Sequence, residues 1–246
     1  MRDDGFILLR QQIPLSLIDE ATNALLRVGE RLGGPADGLD TAWNHFKDID
    51  RAKGGLLYNA AKLLPQIHQL AIAPGVLSAL RDNGVAEPSL VDVNFRIDSY
   101  GEEKFLFDWH QDYWFSVCSP NAMVFWIPLM PVTTETGGVE LISNRDTGGR
   151  IFRTAGSEVY RSYADAVRLD EPVPDAPRHT FRLERGDVLM FRFNVLHRSL
   201  PVLGEAHSRW TLQARFADLA DPAFFANHYK PARVAPGEVP FLKGLN

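Results

Sequence analysis

The hydrophobic period of the chain changes once, near Ser89, and that change decides what it can fold into. Before it, Leu17, Ile18, Ala21, Leu25, Leu26 and Val28 recur close to helical spacing. Pro14 sits near the start of that run, and Gly33-Gly34-Pro35 ends it. Residues 36–50 are expected to be loop. Leu56–Leu80 is expected to form one or two helices, broken near Pro65 and at Pro74-Gly75. Beyond Ser89, Val91, Val93, Phe95 and Ile97 alternate with Asp92, Asn94, Arg96 and Asp98, the period of a strand. Further strands are predicted at Lys104–Trp109, Ala122–Met130, Val139–Ile142, Thr180–Leu183, Val188–Phe193 and Ser208–Phe216. Turns at Gly137-Gly138, Gly148-Gly149 and Arg185-Gly186-Asp187 separate several of them. Helices followed by many short strands predict an α+β fold with a double-sheet jelly-roll core, a double-stranded β-helix. The expected organisation is a single domain over 1–246, with a helical leader (1–88) packed on one sheet, the core at 89–217 and a tail at 218–246.

Composition excludes some classes of function. A net charge of −5 gives no general grip on nucleic-acid phosphates. No apolar run approaches the roughly 20 residues of a membrane span. The lone cysteine, Cys118, rules out an intrachain disulfide or a multi-cysteine metal site, and is read as an apolar thiol. The start, Met1-Arg-Asp-Asp-Gly5, carries acids where a secretory signal needs basic residues. The expectation is a cytoplasmic protein whose partner is a small molecule, neither nucleic acid nor membrane; its oligomeric state is not encoded legibly.

The chemistry concentrates in Trp109-His110-Gln111-Asp112, taken with His197 and Arg209. Residues i and i+2 of a strand share a face, so His110 and Asp112 can converge on one point. With the distant His197 they make two imidazoles and one carboxylate, the facial ligand set of non-haem Fe(II) oxygenases, which leaves coordination positions open. Arg209 lies 12 residues beyond His197 (209 − 197), where its planar fork could clamp a carboxylate. Thr211, at i+2, can add a hydroxyl to the same carboxylate. The expected cofactors are Fe(II), 2-oxoglutarate as cosubstrate and O2.

The ordered set WHQD (109–112), NAMVFWIPLM (121–130), GGVELISNRDTGG (137–149), GDVLMF (186–191), HRS (197–199) and HSRWT (207–211) resembles the phytanoyl-CoA dioxygenase-like family of Fe(II)/2-oxoglutarate oxygenases. The resemblance implies that His110, Asp112 and His197 are the iron ligands and that Arg209 binds the distal carboxylate of 2-oxoglutarate. It makes Ser199 a secondary cosubstrate contact and Trp126 a wall of that pocket. It further implies a dioxygenase that hydroxylates a small metabolite and releases succinate and CO2. Halogenating relatives replace the acidic ligand with a small residue, so Asp112 favours hydroxylation. The chain departs from the family at Ser143-Asn144-Arg145-Asp146, where a Gly-Ser-His turn is common. It departs again at residues 201–205, where an Asn-x-Ser is common. Two alternatives stay open: a cupin-like metal-binding jelly roll that does not use 2-oxoglutarate, and a non-catalytic binding module.

Other polar residues take lesser roles. His45, His68, His179, His207 and His228 are read as structural or exposed. Gln111 is expected to face away from the metal and hydrogen-bond behind the ligands. Arg96 could meet an anion. Tyr113, Trp114 and Phe115 are expected to be half core and half pocket, with Tyr58 and Asn59 as weaker lining candidates. The loops 99–108, 113–120 and 144–178 are expected to set the specificity of the pocket, Arg161–Pro177 is expected to be a long loop of the kind that often serves as a lid, and the tail at Asn227–Tyr229 is a candidate for closing over the site. Glu135 and Glu140 are read as solvated.

Overall fold

A computed structural model of the protein describes residues 1, 3–114, 121–154 and 168–222. Cys118, Phe115, His228 and Asn227–Tyr229 lie outside the described residues, as does much of the 144–178 loop.

After a short strand β1 (Phe6–Leu9), the leader folds into α1 (Leu15–Arg31), α2 (Leu39–Ile49), α3 (Arg51–Ala61), α4 (Pro65–Ala71) and α5 (Pro74–Asp82). Helix α1 buries Ile18, Ala21, Leu25 and Gly29, one stripe at three- and four-residue spacing. Pro65 and Pro74 each open a helix, at the position where the missing N–H goes unused. The loop expected over 36–50 is instead largely α2. Leu39, Ala42, Trp43 and Phe46 form its buried stripe, and that spacing overrides the turn-like Gly38 and Asp40 around them.

The strands are β2 (Pro88–Ser99), β3 (Ala122–Pro128), β4 (Val139–Ile142), β5 (His179–Thr180), β6 (Val188–Arg192), β7 (Leu196–Ser199) and β8 (Ser208–Asp218), with a one-turn helix α6 (Asn144–Thr147) after β4. They form two antiparallel sheets, ordered β1-β6-β3-β8-β2 and β5-β4-β7. The strand expected at Lys104–Trp109 does not form. Glu103–Phe105 is a 3-10 turn, and among the described residues the stretch finds no ladder partner beyond single bonds such as Ser199 N–H to the Phe107 carbonyl. The strand expected at Thr180–Leu183 is only His179–Thr180.

Alternation sorts the side chains into layers. One face of the five-stranded sheet, with Phe95, Phe125, Met190, Trp210, Leu212 and Phe216, packs on the helices in one buried cluster. Its other face, with Val124, Trp126, Leu189 and Phe191, packs against Val139 and Leu141 of the smaller sheet in a second. Each large apolar side chain removed from water in this way contributes about 1.5–3 kcal/mol. No single helix among the described residues is long and apolar enough to cross a membrane.

Candidate metal centre and its polar ladder

Strand β8 lies between β3 and β2 and is buried along nearly its whole length. Its helix-facing residues are apolar, but the alternate ones, Arg209, Thr211, Gln213 and Arg215, are polar and face between the sheets. Strand β2 answers in register: Asp98 opposite Arg209, Arg96 opposite Thr211, Asn94 opposite Gln213 and Asp92 opposite Arg215. The result is a ladder of four polar cross-strand pairs inside the protein, with carboxylates and guanidiniums concentrated at its ends.

One end meets His110, Asp112 and His197. His110 and His197 form an antiparallel bridge and exchange both backbone hydrogen bonds, at 2.9 and 3.0 Å. Residues so paired place their side chains on one face, and the two rings sit 4.1 Å apart between centroids. Asp112 does not come from the strand end that the sequence suggests. It begins a 3-10 turn, Asp112–Trp114, which swings its carboxylate back to 3.9 Å from His110 Nε2. One ligand-type atom from each of the three lies within 4.8 Å of the others, and all three residues are buried.

The imidazoles are set for a cation. His110 Nδ1 donates to the Asp108 carbonyl at 2.7 Å and His197 Nδ1 to the Val195 carbonyl at 3.0 Å. A carbonyl only accepts, so both Nδ1 atoms carry the proton and each Nε2 presents a lone pair. Burial, and then the neighbouring His197, push the His110 pKa down to about 3; burial likewise lowers that of His197. Burial alone would raise the Asp112 pKa, but the Arg215 guanidinium and the two imidazoles outweigh it, so the carboxyl is held below its usual range. The three groups therefore present two neutral nitrogens and one carboxylate at neutral pH. Behind them Gln111, fully buried, donates to the Arg150 and Asn194 carbonyls and accepts from the Phe152 N–H. It locks the turn that carries His110 and Asp112, on the side away from the cluster that alternation predicts.

Trp126 and Ser199 line the cavity at these three residues, with Phe107, Val124, Val139, Phe191, Asn94 and Gln213. Arg209 is not among its lining residues. The guanidinium is 2% exposed and sits at the far end of the ladder, where Nη2 donates to Asp98 at 3.0 Å and Nη1 donates to the Thr136 and Leu200 carbonyls. Arg96 shares Asp98, at 2.6 Å. Burial would raise the Asp98 pKa, yet the Arg209 and Arg96 guanidiniums hold it low. Two guanidiniums thus share one carboxylate, and the cluster keeps one positive charge. Beside it Thr211 Oγ1 and Arg96 Nε are buried with no hydrogen-bond partner among the described residues.

The sequence reading missed Arg215. Its Nε donates to Asp112 Oδ2 at 3.0 Å, Nη2 to Asp112 Oδ1 at 3.2 Å and Nη1 to Asp92 at 3.0 Å. Continuing the alternation of β8 from Arg209 through Thr211 to Gln213 and Arg215 would have found it. Among the residues read as structural, His207 pairs with Asp40 at 3.2 Å and His68 bonds the Lys62 carbonyl at 2.9 Å. Glu140, read as solvated, is instead ion-paired with Arg198 at 2.6 Å.

A buried, neutral His/His and ionised Asp cluster thus lies between two antiparallel sheets, with its ligand-type atoms close enough together to hold a metal ion. Comparison with known proteins agrees: the phytanoyl-CoA dioxygenase (PhyH) family model matches residues 1–210, and the chain belongs to that family of oxygenases. It is 26% identical over 215 residues to the 1-deoxypentalenic acid 11-beta-hydroxylase of Streptomyces exfoliatus, covering 81% of this chain and 71% of that protein. With the enzyme of that name from Streptomyces arenae it shares 32% over 108 residues, which is 41% of this chain and only 36% of that protein. Its fold is similar to that of the epimerase SnoN, solved with Fe3+, alpha-ketoglutarate and nogalamycin RO (TM-score 0.60, 15% identity, 96% of this chain and 89% of that one). It is also similar to the non-heme monooxygenase ThoJ, solved as a nickel complex (TM-score 0.58, 15% identity, 88% and 75%).

Proposed function

We propose that the protein is an Fe(II)- and 2-oxoglutarate-dependent dioxygenase that hydroxylates a small organic metabolite, and that its two sheets are the halves of a double-stranded β-helix. The observation that carries this is the charge layout of the ladder. Among the described residues, the end at Asp112, Asp92 and Arg215 holds one excess negative charge beside two neutral imidazoles and suits a divalent cation. The end at Arg96, Asp98 and Arg209 holds one excess positive charge, with the Thr211 hydroxyl, unpartnered among the described residues, beside it, and suits a carboxylate. A dicarboxylic keto acid bridges two such ends.

In this reading His110 and His197, through Nε2, and Asp112 hold the metal. Arg209 and Thr211 take the distal carboxylate, and Ser199 and Trp126 flank the cosubstrate. Iron with 2-oxoglutarate and O2 supplies the oxidising power, with succinate and CO2 as coproducts. The protein's own part is to orient the ligands, keep bulk water from the buried cluster and hold the substrate beside it. The cavity at the triad is about 30 Å3, room for a water-sized occupant. Cosubstrate entry therefore requires the Arg209 fork to exchange Asp98 for the incoming carboxylate. That the relatives are named for 1-deoxypentalenic acid and nogalamycin supports a natural-product-like substrate.

Succinate release on adding Fe(II), 2-oxoglutarate and O2 tests the reading. Wild type should turn over 2-oxoglutarate, and His110→Ala should not; turnover that persists without iron would overturn it. A second reading, a metal site indifferent to 2-oxoglutarate, draws support from the engagement of Arg209 by Asp98. It predicts that the keto acid raises no visible charge-transfer band on the anaerobic Fe(II) protein.

A further inference from the structure

We infer that the cavity between α2, α3 and the edge of β2 receives the organic substrate, and that this substrate is an uncharged molecule with an apolar ring body and an oxygen acceptor. The inference rests on the proposed metal role of His110, Asp112 and His197 and deepens it to a substrate class.

Size comes first. The cavity at the triad is about 30 Å3, too small for an organic substrate. A second cavity, of about 300 Å3, is lined by Trp43, Arg51, Gly55, Tyr58, Arg96 and Phe105, and its volume is at the lower end of the range of small-molecule sites. Phe107 stands between the two. It lines the metal cavity with its ring 5.2 Å from that of His110, and the Arg96 guanidinium lies 4.9 Å from the same ring. The stretch that carries Phe107 has no strand ladder among the described residues, so turning it aside breaks few backbone bonds and joins the cavities.

The walls specify the ligand. Trp43 is fixed by donating from Nε1 to Ser99 Oγ at 3.1 Å, and Phe105 is 49% exposed, an apolar face that an occupant would cover. Gly55 is the plainest sign of reserved space. It lies inside α3, where glycine weakens a helix. Its neighbour Gly54 has a packing reason, since a Cβ there would come within 3.3 Å of Phe46 Cβ. At Gly55 a Cβ would meet nothing within 4 Å, so the glycine serves the space beside it and not the packing of the helix. The charges of the lining are already matched. Arg51 is ion-paired with Glu102 and Arg96 with Asp98. On the proposed reading 2-oxoglutarate takes Arg209 and leaves Asp98 to Arg96. Each lining guanidinium then has its own carboxylate, and an anionic ligand would enter with no net charge to balance it. Hydrogen-bonding capacity remains. Arg96 Nη2 serves Asp98 and the Phe105 carbonyl, while Nη1 has no acceptor among the described residues. A carbonyl, ether or hydroxyl oxygen on the substrate fits that donor.

Two probes of one shape, 2-acetylnaphthalene and 2-naphthoate, separate a neutral acceptor from a charged one. Calorimetric titration uses the whole chain loaded with manganese(II) and 2-oxoglutarate. The ketone should bind one to one, and about tenfold or more tighter than the carboxylate. Gly55→Phe, which fills the cavity, should weaken the ketone by about tenfold or more while keeping the melting temperature. No ketone binding to wild type, equal or tighter binding of the carboxylate, or undiminished binding by a folded Gly55→Phe would each overturn the inference. Should that variant not fold, Phe105→Ala takes its place, and unchanged ketone affinity there refutes the site. Manganese at the triad should also broaden the proton magnetic resonance lines of the bound ketone, and zinc(II) in its place should not. Manganese bound without that broadening would mean that the cavity does not serve the metal, and would overturn the assignment. Failure of the chain to take up manganese, seen as an undiminished free-ion paramagnetic resonance signal, would refute the metal reading instead. The ketone titration of the metal-free protein then still judges the cavity: binding that Gly55→Phe abolishes upholds it, and no binding overturns it.

Discussion

On the proposed reading Asp98 competes with the cosubstrate for Arg209, so Asp98→Asn should weaken the fold and tighten 2-oxoglutarate binding at once. Asp98 is buried and accepts from Arg96 Nη2 and Arg209 Nη2 at 2.6 and 3.0 Å. Removing one partner of a buried ion pair costs about 3–5 kcal/mol. At roughly 2–4 °C per kcal/mol for a domain of this size, the melting temperature should fall by about 10 °C. The same change removes a negative charge close to the incoming carboxylate. At roughly 6 Å and an effective dielectric near 20, that repulsion is about 3 kcal/mol. Allowing for incomplete transfer of that energy, 2-oxoglutarate should bind about tenfold to a hundredfold more tightly. The assay is anaerobic titration of the Fe(II) protein, followed by the keto-acid charge-transfer band, beside thermal melts with and without 2-oxoglutarate. Ligand in excess should recover more stability in the variant than in wild type, because the linkage grows with affinity. A variant that melts lower and binds 2-oxoglutarate no more tightly would show that Arg209 does not receive the carboxylate.

Two further outcomes follow from the same geometry. Gly137 has φ +63°, and a Cβ there would lie 2.2 Å from the Pro201 carbonyl oxygen and 2.7 Å from Arg209 Nη1; Gly137→Ala should therefore weaken 2-oxoglutarate binding at least tenfold while leaving manganese affinity within about twofold, measured by titration. The metal-free protein should lose stability as pH falls from about 6.5 toward 3: with the folded His110 pKa at about 3 against 6.5 unfolded, only the unfolded chain takes up the proton in that window, so the contribution is complete above it and shrinks by about 1.4 kcal/mol per pH unit below. Asp98 and Asp112, whose folded pKa values are depressed, add their losses only at lower pH, below the ordinary carboxylate range. Urea unfolding in chelator that gave the same stability at pH 7.5 and 5 would contradict this.

The parts of the fold that were legible are those where one period dominates. Alternation exposed β2 and β8, and Pro65 and Pro74 marked helix starts. Helix α2 was hidden because Gly38 and Asp40 imitate a turn, although Leu39, Ala42, Trp43 and Phe46 carry the helical stripe. The meeting of His110, Asp112 and His197 was legible because His110 and Asp112 are only two residues apart and His197 follows a clear strand. What was not legible is the pairing of charges across strands. That Asp98 stands opposite Arg209, and Asp92 opposite Arg215, depends on a register that includes a bulge between Leu90 and Asp92. Arg209 could be singled out from its spacing, but its engagement by Asp98 could not.

The most direct measurement is a crystal structure of the Fe(II) protein with 2-oxoglutarate, grown without oxygen and phased at the iron edge. The account predicts one iron bonded to His110 Nε2, His197 Nε2 and Asp112 Oδ1, with the distal carboxylate on Arg209 and Thr211 and Asp98 left to Arg96. Iron bound elsewhere, or a keto acid whose distal carboxylate leaves the Arg209–Asp98 pair intact, would contradict it.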